Sequence, residues 1–314
     1  MPWLAFAACC LIWGSTWLAH KWALADFTPM GLATLRFVSA GLLCLVIARV
    51  SGESFVRREH LWHLIAAGLV LTGLANVLTA WSLLYIPSGV GAVLQAPIPV
   101  WLALMTLRRE PLRPLGWVAV LLGFAGVALV MWPDELTHFD ALAAATCVMT
   151  AAAWSAASLY QRARVRSGGL FANAGVQMLC SGLIGVLLTS YTGGYTHVGT
   201  VSKEAWISAL YLVIGGSCVA FASYQYLAKV WHPARAGSFS YINPVIAVLL
   251  GWALGGEPLG HKLIVGMGVI LVAVAVLQVA TRAPAAAATE PDVVLDSEQA
   301  EAPGAASRTT SARS

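Results

Sequence analysis

The chain has 314 residues, of which 59% are apolar and 10% charged, with a formal net charge of +4. A soluble domain carries roughly 25% charged residues, so the composition excludes a water-soluble globule and reads as a membrane protein. The small positive balance comes from arginines between apolar stretches and gives no support for nucleic-acid binding.

Ten apolar stretches of about 18–24 residues follow one another, near 3–24, 30–49, 61–84, 88–107, 114–132, 139–160, 171–191, 205–228, 236–254 and 263–281. Each is long enough to cross a hydrocarbon core of about 30 Å. In the first, Trp13, Trp17 and Lys21 recur every four residues with His20 three beyond Trp17, so they share one helix face. Ala23-Leu24-Ala25 resembles a signal-peptide cleavage site, but no basic residue precedes the apolar run and His20-Lys21 interrupt it. The stretch is therefore expected to remain as a span. In the second, Arg36 lies about a third of the way in, where a charge needs a partner or a water-filled cavity. It either snorkels to the interface or lines a pocket that holds an anionic group.

The third stretch carries Asn76 and Trp81, the fourth Gln95 ahead of Pro97 and Pro99, the seventh Gln177 and the eighth Gln225. An amide in a span serves a pathway or an interhelical hydrogen bond. Asn243 precedes Pro244 in the ninth. Each in-span proline removes a backbone donor and marks a bend or freed carbonyls, so Pro97, Pro99 and Pro244 are read as kink or gating positions. The six cysteines, Cys9, Cys10, Cys44, Cys147, Cys180 and Cys218, lie inside stretches without metal or redox spacing and read as packing residues. Beyond Ala283 the chain turns to Ala, Pro, Ser, Thr and acidic residues, which predicts a disordered tail over 282–314.

The chain reads twice. Pro97 leads to Glu110-Pro111-Leu112 and Pro244 to Glu257-Pro258-Leu259 at the same spacing. Trp13, Lys21, Arg36 and Gly41 fall opposite Trp154, Arg162, Gln177 and Gly182 at one constant offset. This predicts two repeats of five spans, 1–133 and 134–281. Five is odd, so the second copy is inverted. Lys/Arg-rich loops, including Arg57-Arg58, Arg108-Arg109 and Arg162 to Arg166, alternate with loops carrying Asp26, Asp134 and Glu135. The positive loops mark the cytoplasmic face, which places both termini in the cytoplasm of a bacterial-type inner membrane. Glu110-Pro111 and Glu257-Pro258 are assigned to structure, as a helix end and turn on each face.

Trp13-Gly-Ser-Thr-Trp17, Lys21-Trp-Ala23, Leu32-Ala-Thr-Leu-Arg36-Phe37, Ile86-Pro-Ser-Gly-Val90 and Ala236 through Asn243-Pro244 resemble the corresponding motifs of EamA-type carriers of the drug/metabolite transporter superfamily. The resemblance covers residues 1–281. It implies an all-α integral membrane protein, a ten-helix inverted-repeat bundle with a central cavity, that moves amino acids or other small metabolites, commonly outward. The chain departs from strict symmetry where Arg36 faces Gln177.

The functional expectation is a carrier of small organic solutes working by alternating access. Its substrate-binding residues would be Trp13, Trp17, Arg36, Asn76, Trp81, Gln95, Gln177 and Asn243. No Asp or Glu lies mid-span, so coupling reads as facilitation or exchange and not as a carboxylate-driven proton antiport. A multidrug or lipophilic-cation exporter is the alternative, although it would prefer an acidic pocket. An intramembrane enzyme is remote, because no compact catalytic pair is present. No cofactor, metal or catalytic residue is expected. The partners are a small-molecule substrate and the lipid bilayer, with no nucleic acid, in a monomer or homodimer.

Overall fold

The computed structural model describes residues 1–108, 111–132, 140–192, 201–231, 236–237 and 239–281, with only the backbone of 192 and 281. Glu110, the loop charges Arg109, Asp134, Glu135 and Arg235, and the segment 282–314 lie outside the described residues.

Among the described residues, nine helices are long and apolar enough to span a membrane and a tenth, α9, is shorter: α1 (Pro2–Ala23), α2 (Pro29–Val50), α3 (Arg58–Ser82), α4 (Ser88–Thr106), α5 (Pro114–Met131), α6 (Ala141–Arg164), α7 (Leu170–Thr192), α8 (Lys203–Val230), α9 (Phe239–Gly255) and α10 (His261–Thr281). Each lies within a few residues of its predicted stretch. Helix is the conformation that satisfies every backbone group inside one segment, which lipid demands. Starts are fixed by side-chain acceptors: Thr28 accepts from Gly31 N–H, Asp140 from Ala143 N–H and Ser202 from Ala205 N–H. Two acidic residues cap helices from a distance. Glu53 accepts from Ala172 N–H in α7, and Glu257 accepts from Ser88 and Gly89 N–H at 2.7 and 3.0 Å at the start of α4.

The helices pair as two related halves. α2 packs along α7 and α5 along α10; α1 lies against α8 and α9, as α6 lies against α3 and α4. Small residues set the closest approaches. A Cβ built on Gly41 would stand 2.6 Å from Leu179 N, and one on its counterpart Gly182 would stand 2.6 Å from Val38 N. Where α5 meets α10, a Cβ on either Gly126 or Gly266 would lie 3.1 Å from the other's carbonyl oxygen.

Regularity fails in three places. α4 breaks at Pro97, between Ser88–Gln95 and Ile98–Thr106, and Pro99 sits in the first turn of the second piece, where no intrahelical N–H is required. Pro244, by contrast, sits within a continuous α9. The prolines therefore interrupt only one repeat. The irregularity that both repeats share is of another kind: π-helical turns over Leu69–Leu74 in α3 and Leu212–Ala220 in α8. A π-turn inserts surplus backbone into a helix and often accompanies a functional site.

Candidate functional site

Between the halves lies a cavity of about 140 Å³, walled by residues of α1, α2, α3, α4, α6, α7, α8 and α9. Six of the sequence-predicted residues line it: Trp13, Trp17, Arg36, Asn76, Gln95 and Asn243. Two do not. Trp81 lines a lateral groove with Thr28 and Leu142 and meets the Tyr85 ring at a tilt, centroids 5.2 Å apart, because its place on α3 turns away from the centre. Gln177 is fully buried among amide and carbonyl partners and leaves no face for a solute.

Arg36 is 7% exposed and held from three helices. Its Nε donates to Ser217 Oγ at 2.7 Å, and NH1 donates to His20 Nε2 at 2.9 Å and to Asn76 Oδ1 at 3.4 Å. All three partners are neutral acceptors in this arrangement, and no carboxylate pairs with the guanidinium among the described residues. Two of them meet Arg36 from the π-turns or their exits: Ser217 lies within the α8 turn, and Asn76 stands just beyond the α3 turn, donating to Leu71 O at 2.8 Å. A fixed cation beside low-polarity walls is a ready site for an anionic group.

Repeat symmetry extends to this chemistry. Gln177 and Gln161, which fall opposite Arg36 and His20, are joined by a 2.9 Å bond from Gln177 Nε2 to Gln161 Oε1. Gln161 Nε2 in turn donates to Gln225 Oε1, and Gln225 Nε2 to Gln177 Oε1, closing a ring of three amides. Near the end of α1 Lys21 Nζ donates to Ile86 O, and near the end of α6 its counterpart Arg162 donates to Ala228 O.

Aromatic and hydroxyl groups complete the wall. Trp13 Nε1 donates to Gly216 O at 3.0 Å, and Gln95 Nε2 donates to Thr79 and Thr150 Oγ1, both at 2.9 Å. Asn243, with its amide nitrogen facing α1, donates to Cys10 O and Phe239 O at 3.0 and 3.1 Å. Trp13, Trp154, Tyr224 and Phe239 form a cluster of rings with centroids 4.9–6.4 Å apart. Three of these rings face the central cavity, while Tyr224 faces a second one of about 280 Å³ lined by Gln161, Arg162, Asn173, Gln225 and Lys229. The rings separate the two spaces.

Sequence reading did not single out Ser217, Thr79, Thr150, Tyr224 or Phe239. For Ser217 the signal existed: the constant repeat offset carries Asn76 onto it. For the rest, a hydroxyl or ring in a span looks the same whether it faces a cavity or a neighbour.

Comparison with known proteins gives a consistent result. The model of the EamA-like transporter family matches residues 1–132 and again 141–279. The chain is 30% identical over 272 residues to "Uncharacterized inner membrane transporter YedA" of Escherichia coli (strain K12), covering 86% of this chain and 88% of that one. It is 24% identical to "Protein PecM" of Dickeya dadantii (strain 3937), covering 87% of this chain and 91% of the relative. A solved structure described as "Crystal structure of protein" superposes with a TM-score of 0.65 at 20% identity, over 88% of this chain and 96% of the other, which supports the fold alone.

Proposed function

The chain belongs to the EamA-like transporter family, and from that premise we propose that it carries amino acids or related carboxylate-bearing metabolites across the inner membrane by alternating access. It is a multi-pass membrane protein, and its 30% identical relative from Escherichia coli is named as an inner membrane transporter. The observation that carries the substrate class is Arg36, a buried cation on the cavity wall whose three hydrogen-bond partners are all neutral. Trp13 and Trp17 offer apolar faces to the remainder of the solute, and Gln95 and Asn76 offer amides.

The two halves, 1–133 and 134–281, rock about the cavity in this reading, and the ring cluster closes it toward the second cavity. With both termini cytoplasmic, that second cavity faces the cytoplasm and the Arg36 site lies toward the outer half. Such an orientation suits release outward. A lipophilic-cation exporter draws no support from the wall, none of whose lining residues is Asp or Glu among the described residues.

Counterflow tests the proposal. Purified protein in liposomes preloaded with an unlabelled amino-acid mixture should accumulate labelled amino acids, and R36A should lose that accumulation. Absence of flux for every amino acid in the wild type would overturn it.

A further inference from the structure

We propose, building on the carboxylate-carrier reading, that His20 is the proton-carrying group of the transporter and that one proton travels with each solute carboxylate held at Arg36. The two ring nitrogens of His20 are assigned by their neighbours. Thr16 O, 2.8 Å from Nδ1, only accepts, so Nδ1 holds the ring proton. The Arg36 NH1 group, 2.9 Å from Nε2, only donates, so Nε2 presents its lone pair and the ring is neutral. A proton added to Nε2 in this arrangement would set N–H against N–H and one cation against another inside the bundle.

A carboxylate gripping the Arg36 fork replaces Nε2 and Asn76 Oδ1 as acceptors from NH1. Its negative charge then lies against the released Nε2, and the ring has an anion for a neighbour in place of a cation. That reversal favours the protonated ring. The proton comes from water on the side the cavity faces and adds to the Nε2 lone pair. After the carboxylate leaves on the other side, it returns from the same atom to water there. Only the N–H bond forms and breaks. Arg36 with a neutral ring carries one positive charge, and Arg36 with carboxylate and protonated ring carries the same; the ammonium of an amino acid adds one more, so the loaded site crosses with one positive charge beyond the empty one.

No other group competes for the ring among the described residues. Lys21, next on α1, donates to Ile86 O, and Tyr211 of α8 meets Ser15 Oγ at 2.6 Å. Cys218 of α8 contacts Cys44 of α2, Tyr241 of α9 donates to Val274 O, and Glu257 beyond α9 is held by Ser88 and Gly89 N–H. α4 has no titratable side chain. The second repeat makes the equivalent contact without a titratable group, through Gln161 and Gln177. H20Q therefore keeps an acceptor for Arg36 and removes the titration.

The test is binding of a radiolabelled amino-acid mixture to the purified full chain in detergent between about pH 5 and pH 8, the range in which histidine titrates. Flux is then followed in liposomes with a trapped pH dye. With histidine left out of the mixture, the α-carboxylates stay ionised across this range, and the part of the slope that H20Q loses belongs to His20. Wild-type binding should tighten as pH falls, by up to about tenfold per pH unit when one proton is taken up, and inward flux should acidify the lumen. H20Q should bind more weakly with a flat pH profile, and its residual flux should leave the dye unchanged. Should H20Q fail to insert, H20N serves the same comparison. A flat wild-type profile with flux intact, or a wild-type slope retained in either variant, would overturn the assignment of His20. A wild type that neither binds nor moves any amino acid overturns the carboxylate-carrier reading itself.

Discussion

Arg36 bonds His20 and Gln177 bonds Gln161 at the same 2.9 Å and the same separation of sixteen residues, one pair in each repeat. The first pair has a charge and the second has none, so the duplicated scaffold accepts either. R36Q is accordingly expected to fold normally while losing at least about tenfold in amino-acid counterflow, the loss expected for a charge-assisted hydrogen bond of about 1.5–3 kcal/mol. R36K keeps the charge but not the planar fork that reaches Ser217 and His20 together, and should fall between R36Q and the wild type. Wild-type flux in R36Q would sink the anion-site role.

The amide ring of Gln161, Gln177 and Gln225 should act on stability and not on cargo. Q177L takes one of two ring bonds from each of Gln161 and Gln225 and is expected to cost about 1–2 kcal/mol, since buried interhelical hydrogen bonds are worth about 0.6–2 kcal/mol. The midpoint of thermal unfolding in detergent should fall, while the solute preference measured in counterflow stays as it was.

Two glycines separate packing from propensity. G41A drives a methyl to 2.6 Å from Leu179 N and should destabilise by about 1–3 kcal/mol or more, as overpacking does. At Gly268 in α10, nothing lies within 4 Å of the added carbon, so G268A should gain about 0.5–1 kcal/mol of helix propensity. A thermal midpoint of G41A at or above the wild type would contradict the close approach of α2 and α7.

Glu257 ties the α9–α10 loop of one repeat to the start of α4 in the other. E257A leaves Ser88 and Gly89 N–H without their acceptor and is expected to cost about 0.5–2 kcal/mol, the range of a lost helix cap. Amide hydrogen exchange should rise first at residues 88 and 89. Protection unchanged there would remove Glu257 from this role.

Asp26, in the loop between α1 and α2, accepts from both the amide and the hydroxyl of Ser202, and these bonds hold its carboxyl below the ordinary range. The folded value lies below the unfolded one, so the stabilisation is complete above the unfolded pKa of about 3.9 and is lost as pH falls through the lower folded value. D26N should lower stability at neutral pH and flatten its dependence on pH on the acid side, read from unfolding curves.

The spans were legible because hydrocarbon leaves the backbone little choice: each apolar stretch became a helix whose ends differ by a few residues from expectation. Arg36 was legible because a charge at that depth demands a cavity or a partner, and it has both. Gln177 looked like Arg36's equal, yet its partners are other glutamines. An amide can satisfy itself within the bundle, and nothing in its local sequence tells the two situations apart. The π-turns were invisible for a related reason. Leu69–Leu74 and Leu212–Ala220 contain the leucine, valine and glycine of any span, and the surplus residue is accommodated by neighbours distant in sequence. Proline, the visible breaker, interrupts α4 but not α9, where the surrounding helices accept Pro244.

Among the described residues around the central cavity, none comes from α5 or α10, the pair joined at Gly126 and Gly266. The α5–α10 pair thus contributes packing and no described part of the cavity wall. Outward positions such as Leu121 and Val272 can carry fluorophores, spin labels or immobilising tags with the cargo chemistry left intact. Mutational drift on those two helices would surface as altered abundance in the membrane, whereas drift on α1 or α3 would reach the cavity wall itself.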